Sequence, residues 1–256
     1  RAETERVTAK IRRAEAAAYD NNLSMMKLCL LADTHYTVGG TWEDTAHNIR
    51  SVAERAGYDA VIHLGDLTDG MLSKELTAKY VRWMIADLDE CRIPVYIAPG
   101  NHDSNYFRNR ENAFTEEEMR SLYRLGKGPE GEGGTAGGMK TVSAGQGLEY
   151  YVDVPAYRGR MVFLSSFEDG AAIRYGYEKR QLEWLREVLQ GAEEETRFLV
   201  FSHDAPLAKL DYWSFHIRNG EQLLDILEEC NRKEEYQVIG FFYGHTHADY
   251  VFEECS

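Results

Sequence analysis

Val95-Tyr96-Ile97-Ala98-Pro99-Gly100-Asn101-His102-Asp103 carries a short apolar run through a turn and straight into an amide, an imidazole and a carboxylate. Apolar runs of this length bounded by turn residues read as buried strands. Four others behave in the same way. Lys27–Ala32 ends in Asp33-Thr34-His35, Ala60–Leu64 ends in Gly65-Asp66, Phe198–Phe201 runs on to His203, and Val238–Tyr243 ends in Gly244-His245-Thr246-His247. In open α/β sheets, ligands bind at the carboxyl ends of strands. The five endings are therefore expected along one rim, presenting imidazole, carboxylate and amide groups with no thiolate among them, which describes a metal site.

Helical patterns separate the first strands. Trp42–Ala56 places Trp42, Ile49, Val52, Ala53 and Ala56 at helical spacing and is stopped by Gly57. A longer helix, Lys74–Cys91, precedes Pro94 and the third strand, so the first hundred residues alternate βαβαβ and predict a parallel sheet. Thr115 and Glu118 form a capping-box pattern for a short helix through Tyr123. Gly126–Gly147, dense in glycine and poor in large apolar residues, is expected to be a mobile loop, either a surface insertion or a lid near substrate. Two strands at Leu148–Val154 and Arg160–Ser166, joined by a turn at Tyr157–Gly159, precede helices at Glu178–Leu189 and Gly220–Arg232. Residues Arg1–Leu23 are rich in Ala, Glu and Arg, which favours a helix, and Met25-Met26-Lys27 resembles a native start. Residues 1–24 are thus expected to be a helical appendage or linker, with a surface helix of the same domain as the alternative, and 25–256 the main domain.

At 256 residues and 43% hydrophobic, the chain can bury a sizeable core and reads as a soluble globular protein. Its longest apolar runs fall well short of the ~20 residues that cross a bilayer, and nothing near Arg1 resembles a signal peptide. Cys29, Cys91, Cys230 and Cys255 have neither metal-type nor disulfide-framework spacing, which fits a reducing, cytoplasmic compartment. A net charge of −14 argues against a large nucleic-acid footprint. An enzyme of this charge that acts on phosphates has to take its positive charge from metal ions.

The strand endings supply Asp33, His35, Asp66, Asn101, His203, His245 and His247 as candidate ligands. This set exceeds what one tetrahedral ion takes and suits two ions, roughly 3.5–4 Å apart, sharing a bridging carboxylate. Nitrogen and oxygen donors of these types accept Mn, Fe or Zn, divalent or trivalent, and the absence of cysteine argues against a structural zinc cluster. His63 reads as packed on the second strand and His47 as lying on a helix face. The polar-aromatic stretch from Asp211 to His216 reads as a pocket wall or as ordinary packing. Asn105, Tyr106 and Arg108 read as a solvated loop or as residues that reach a substrate phosphate.

Taken in order, D-x-H, G-D-x-x-D, G-N-H-D, a lone histidine and G-H-x-H, the motifs resemble those of the calcineurin-like metallophosphoesterases from about Met26 to the end of the chain. The resemblance implies an α/β fold, a two-sheet β-sandwich flanked by helices. It implies a dinuclear-metal-dependent phosphohydrolase that cleaves a phosphomonoester or phosphodiester of a small molecule by attack of a metal-bridging hydroxide. Asp33, His35 and His247 would bind one ion, Asn101, His203 and His245 the other, and Asp66 would bridge them. His102 would be the acid that protonates the leaving oxygen, with Asp69 paired to its imidazole. Asp103 is expected to be a structural hydrogen-bonding residue, and Asp204 a surface carboxylate rather than a support for the ligands. A DNA exonuclease or endonuclease of the same superfamily and a non-catalytic scaffold with the same fold are the competing readings. Family members continue with further strands after G-H-x-H. Nine residues follow His247 here, so the resemblance implies a short second sheet or a longer protein.

Overall fold

The computed structural model describes residues 2–37, 40–107, 109–127, 135–136, 138–168, 170–210, 216–233 and 237–248. Three strands, β1 (Leu28–Leu31), β2 (Ala60–His63) and β3 (Val95–Ile97), pair in parallel in the order β1-β2-β3. The crossovers between them run through α2 (Trp42–Ala56) and α3 (Lys74–Asp89), with α1 (Ala2–Asp20) ahead of the sheet. A parallel sheet covered on both faces needs apolar residues at consecutive positions, and every residue of β2 is accordingly buried. Ser73 caps α3 by accepting from the Leu76 amide at 3.4 Å. The capping box expected at Thr115 and Glu118 opens α4 (Glu116–Leu122).

A six-stranded sheet faces the first. Its strands β4 (Thr135–Ala136), β5 (Met139–Ser143), β6 (Tyr150–Val154), β7 (Gly159–Phe163), β8 (Arg197–Phe201) and β9 (Val238–Phe242) lie in chain order. They are antiparallel up to β7 and parallel from β7 to β9, where α5 (Lys179–Gln190) and α6 (Gly220–Lys233) make the crossovers. The stretch 126–147 was expected to be a loop and instead contributes β5, while 128–134 and 137 lie outside the described residues. Met139 and Thr141 point inward and Lys140 outward. This period-two alternation was hidden by the surrounding glycines.

One core fills the space between the sheets and continues under α2 and α3, and a second lies between the large sheet and α5 and α6. The inner face of the large sheet carries a row of stacked rings at register positions: Tyr150 on Phe163 at 4.5 Å, Phe163 on Phe201 at 5.0 Å, Phe201 on Phe242 at 5.1 Å. Burying each ring is worth about 1.5–3 kcal/mol, and cross-strand aromatic pairs add to that. The Tyr150 hydroxyl ties this row to the small sheet by accepting from Ile97 N at 3.0 Å and donating to Ile97 O at 2.9 Å. Thus β3 and the large sheet hold a fixed separation directly below the segment that follows β3. Helix α1 lies along α2, with Thr4 Oγ1 donating to Asn48 Oδ1 at 3.0 Å and an Arg12 Nη2 bond to Arg55 O at 3.1 Å. Among the described residues no helix is long and apolar enough to cross a membrane.

Candidate metal centre

Backbone hydrogen bonds carry the strand ladders past their last residues and deliver the motif side chains to one rim. Asp33, His35 and Tyr36 donate their amides to Gly65 O, Asp66 O and Leu67 O, which binds the end of β1 to the end of β2. Ser202 donates to Phe242 O and Gly244 to His203 O, which does the same for β8 and β9. At the rim the backbone then turns sharply. Asp33, His35, Asp66, His245 and His247 all have φ between +39° and +65°. Such conformations cost of order 1–3 kcal/mol at a non-glycine residue and concentrate at functional sites. Asp and His are among the residues that tolerate them best. These turns break the strands' alternation of faces at five of the residues gathered at the rim. Gly100 is required by close approach, since a Cβ there would lie 2.3 Å from Asp66 Oδ1.

All seven expected ligands are brought together. Asp66, buried on β2's end, directs Oδ2 at His203 Nε2 (3.1 Å), His35 Nε2 (3.7 Å) and His102 Nε2 (4.0 Å). His203 Nε2 also lies 3.0 Å from Asn101 Oδ1 and 3.2 Å from His245 Nδ1. On the other side, His35 Nε2 is 3.2 Å from His247 Nε2, which is 3.4 Å from Asp33 Oδ1. The donor atoms fall into groups able to hold a cation: Asp33, His35 and His247, and Asp66, His203 and His245, with Asp66, His35 and His102 between them.

The chemistry of this set fits cations. His203 Nδ1 lies 2.7 Å from Leu64 O, and because a carbonyl only accepts, Nδ1 carries the proton. Neutral His203 therefore turns a lone pair at Asn101 Oδ1, the Asp66 carboxylate and His245 Nδ1, so that acceptors converge on one point. Without a cation the only relief is a proton. Although burial opposes charge on His203, Asp66 raises its pKa well above the usual value. Burial likewise works against the Asp66 carboxylate, but His203 overrides it and holds Asp66 low. Burial and the charge of His203 push His245 down to about 3, and burial lowers His35 and raises Asp33. Ligands must be deprotonated to bind a metal, and neutral His35 and His245 already are.

Among the carboxylates around the cluster, Asp103 agrees with the sequence reading, while Asp69 and Asp204 depart from it. Asp103 is fully buried and structural, as expected. Its carboxylate accepts from the amides of Asp66 (2.8 Å), Leu67 (3.0 Å) and Gly100 (2.8 Å), while burial and the nearby Asp66 push its pKa to about 7. Asp69 does not pair with His102 through its carboxylate. Its backbone carbonyl accepts from His102 Nδ1 at 2.6 Å, and its Oδ1 accepts from the Met71 amide. The group of Asp69 beside the imidazole is thus its main-chain carbonyl and not its carboxylate. Asp204 is not a surface carboxylate. It is fully buried, accepts from Ser166 Oγ at 2.6 Å and sets Oδ1 3.6 Å from His245 Nε2, opposite the ring nitrogen that faces the cluster. A buried carboxylate behind a metal-facing histidine fixes its tautomer and orientation.

Asn105 does not reach toward a substrate. It accepts from Thr77 Oγ1 and donates to Leu72 O and Asn112 O. Arg108 and residues 211–215 of the polar-aromatic stretch lie outside the described residues, and His216 is exposed. His63 is packed as expected, bonded to Thr34 Oγ1 at 3.0 Å and driven down to about 3 by burial, and His47 is exposed on α2. Sequence reasoning missed Ser166, whose only signal was its place at the end of an expected strand. Beside Asp33 and His247 opens a groove of about 660 Å³ lined largely by apolar side chains, among them Leu31, Leu64, Leu207 and Phe242.

The fold is similar to that of a dimetal phosphatase from Danio rerio, with a TM-score of 0.60 and 19% identity over 87% of this chain and 82% of that one. A phosphopantetheinyl hydrolase from Mycobacterium tuberculosis aligns less closely, with a TM-score of 0.48 and 14% identity over 89% of this chain and 85% of that one. No curated protein matches the chain by sequence. The sequence pattern of the calcineurin-like phosphoesterases matches residues 26–249, which take in every motif gathered at the rim, and the chain belongs to that family of metal-dependent phosphoesterases.

Proposed function

We propose that the protein is a dinuclear-metal phosphohydrolase cleaving a phosphomonoester or phosphodiester of a small molecule. The observation that carries this reading is the position of Asp66, whose Oδ2 stands between His203 Nε2 and His35 Nε2, where a carboxylate shared by two ions belongs. Asp33, His35 and His247 would hold one ion and Asn101, His203 and His245 the other. Bound there, a pair of Mn, Fe or Zn ions supplies Lewis acidity that neutralises phosphoryl charge and makes water acidic enough to ionise near neutral pH.

The chain's own residues supply orientation and a proton. His102 Nδ1 is held by Asp69 O, and the His102 amide donates to Asp66 Oδ1 at 2.8 Å. Both bonds fix the imidazole relative to the shared carboxylate and leave Nε2 as the free donor, facing the cluster. From there it would protonate the leaving oxygen as a water oxygen bonds to phosphorus and the P–O bond to the alcohol breaks, so the alcohol departs neutral. An oriented imidazolium also offsets charge developing on that oxygen. Asp204, through His245, and Leu64 O, through His203, keep two imidazoles aimed at the cluster without contact with substrate.

The test is a hydrolysis screen of Mn²⁺-loaded protein against phosphomonoesters, cyclic and linear diesters and pyrophosphates. Turnover of a mono- or diester is expected, and it disappears in Asp66→Asn. His102→Ala should lower kcat by about 10²–10⁴-fold while elemental analysis still finds both ions. Loss of the ions in His102→Ala would show that His102 is a ligand, and a metal-loaded protein inert across the screen would remove the hydrolase reading.

A further inference from the structure

A chain of ring contacts leaves the cluster at one histidine and returns to it at another. Tyr175 lies 5.4 Å from His245, Phe167 lies 5.4 Å from Tyr175, Tyr106 lies 6.5 Å from Phe167 and Phe107 lies 5.8 Å from Tyr106. Phe107 then stacks on His102 at 4.2 Å, with the rings only 14° from parallel. None of the four aromatic residues belongs to either hydrophobic core, and Phe107 is 39% exposed. Core packing therefore does not account for them.

The arc is preformed. Phe167 and Tyr175 pair across an antiparallel bridge, and Glu168 N donates to Arg174 O at 2.9 Å. The next residue, Gly176, bridges Arg218 with φ +125°, and a Cβ there would come within 2.3 Å of Arg218 N and O. Only glycine permits this approach, which fixes the backbone beside Tyr175. Arg174 sets its guanidinium 4.5 Å over the Tyr106 ring, adding positive charge to the rim of an acidic chain.

We propose, on the footing of the hydrolase reading, that this arc is the subsite for the organic part of the substrate and selects phosphoesters bearing a flat aromatic ring, a nucleobase in the first instance. The leaving oxygen meets His102 Nε2, so whatever lies beyond that oxygen passes over the ring stacked on His102. Phe107 and Phe167 offer π-faces on which any base stacks, and Arg174 stands where a second anionic group of the same substrate would be met.

Adenosine 5′-monophosphate and ribose 5-phosphate differ only in the base, and their binding to Mn²⁺-loaded protein is measured by calorimetry. The nucleotide is expected to bind about 5–150-fold more tightly, the range that one stacked base supplies. Phe107→Ala or Phe167→Ala should erase most of that ratio while changing ribose 5-phosphate affinity far less, and Phe107→Trp should retain it. Equal affinity of the wild type for the two ligands, binding of neither, or an equal loss for both in Phe107→Ala would overturn the subsite. Preferential nucleotide binding by a protein that cleaves no ester in the screen would instead remove the hydrolase reading and leave the subsite standing.

Discussion

Asp66, His203 and His245 are buried, whereas on the far side of Asp66 the His247 side chain is 52% exposed and Asp33 and His35 are only partly covered. The two halves differ in what holds them. On the buried side the fold stands directly behind the cluster: Leu64 O lies 2.7 Å from His203 Nδ1, Asp204 Oδ1 3.6 Å from His245 Nε2, and the His102 amide donates to Asp66 at 2.8 Å. On the open side Asp33 accepts from the His245 amide, and the nearby groove admits solvent up to His247. A buried half desolvates its charges and so ties them to the stability of the fold, while an open half leaves that stability alone. The buried group is therefore expected to bind its ion tightly and release it slowly, and the open group to exchange first against a chelator.

The largest effect expected from this asymmetry is on the metal-free protein. Asp66→Ala leaves His203 without the carboxylate that stabilises its charge, and breaking a buried pair in this way costs about 3–5 kcal/mol. Urea unfolding of the metal-free variant measures it, and a loss below about 1 kcal/mol, the scale of an exposed pair, would mean that the buried half is not a structural element. The sign with pH is fixed. His203 has a raised folded pKa, so its contribution is complete below about pH 6.5 and fades as pH rises through the folded value. Metal binding should accordingly release a proton from this half.

The next effect concerns orientation. Asp204→Asn keeps the shape of the side chain but removes the charge behind His245, and support of this kind is worth about 10–100-fold in metal affinity. Competition with a chelator should show that loss for one ion of the pair and leave the other unchanged. If both ions weaken alike, Asp204 acts through the fold rather than through His245.

How much of this was legible before the structure follows from what a sequence encodes. The strand endings were readable because a short apolar run and a ligand-type residue are both local signals, and parallel strands ending together need no further information. The two-sheet division was not local. It depends on the Tyr150–Phe163–Phe201–Phe242 row, whose members are far apart in the chain, and came from the family resemblance. Asp69 was assigned through its side chain because one-letter patterns do not distinguish a carboxylate from the carbonyl of the same residue. Asp204 was misjudged because its burial is created by Ser166 and Tyr177, which arrive from β7's end and the segment before α5. The positive φ values at Asp33, His35, Asp66, His245 and His247 left no mark beyond residue types that tolerate them.

The smallest expected effect is the sharpest test of the asymmetry, because it predicts stability and metal content to separate. His247 is exposed and adopts a left-handed backbone that alanine tolerates poorly, so His247→Ala exchanges a little strain for almost no lost packing. Its effect on metal-free urea unfolding should stay within about 0.5 kcal/mol, as for other exposed positions without a buried partner. His247→Gly relieves that strain but loosens the unfolded chain, two opposing effects that should keep its stability near that of the alanine variant. Elemental analysis of either variant should nonetheless find one ion where the wild type holds two. If stability falls along with the metal, the open half is part of the folded framework after all, and burial is not what separates the two sides.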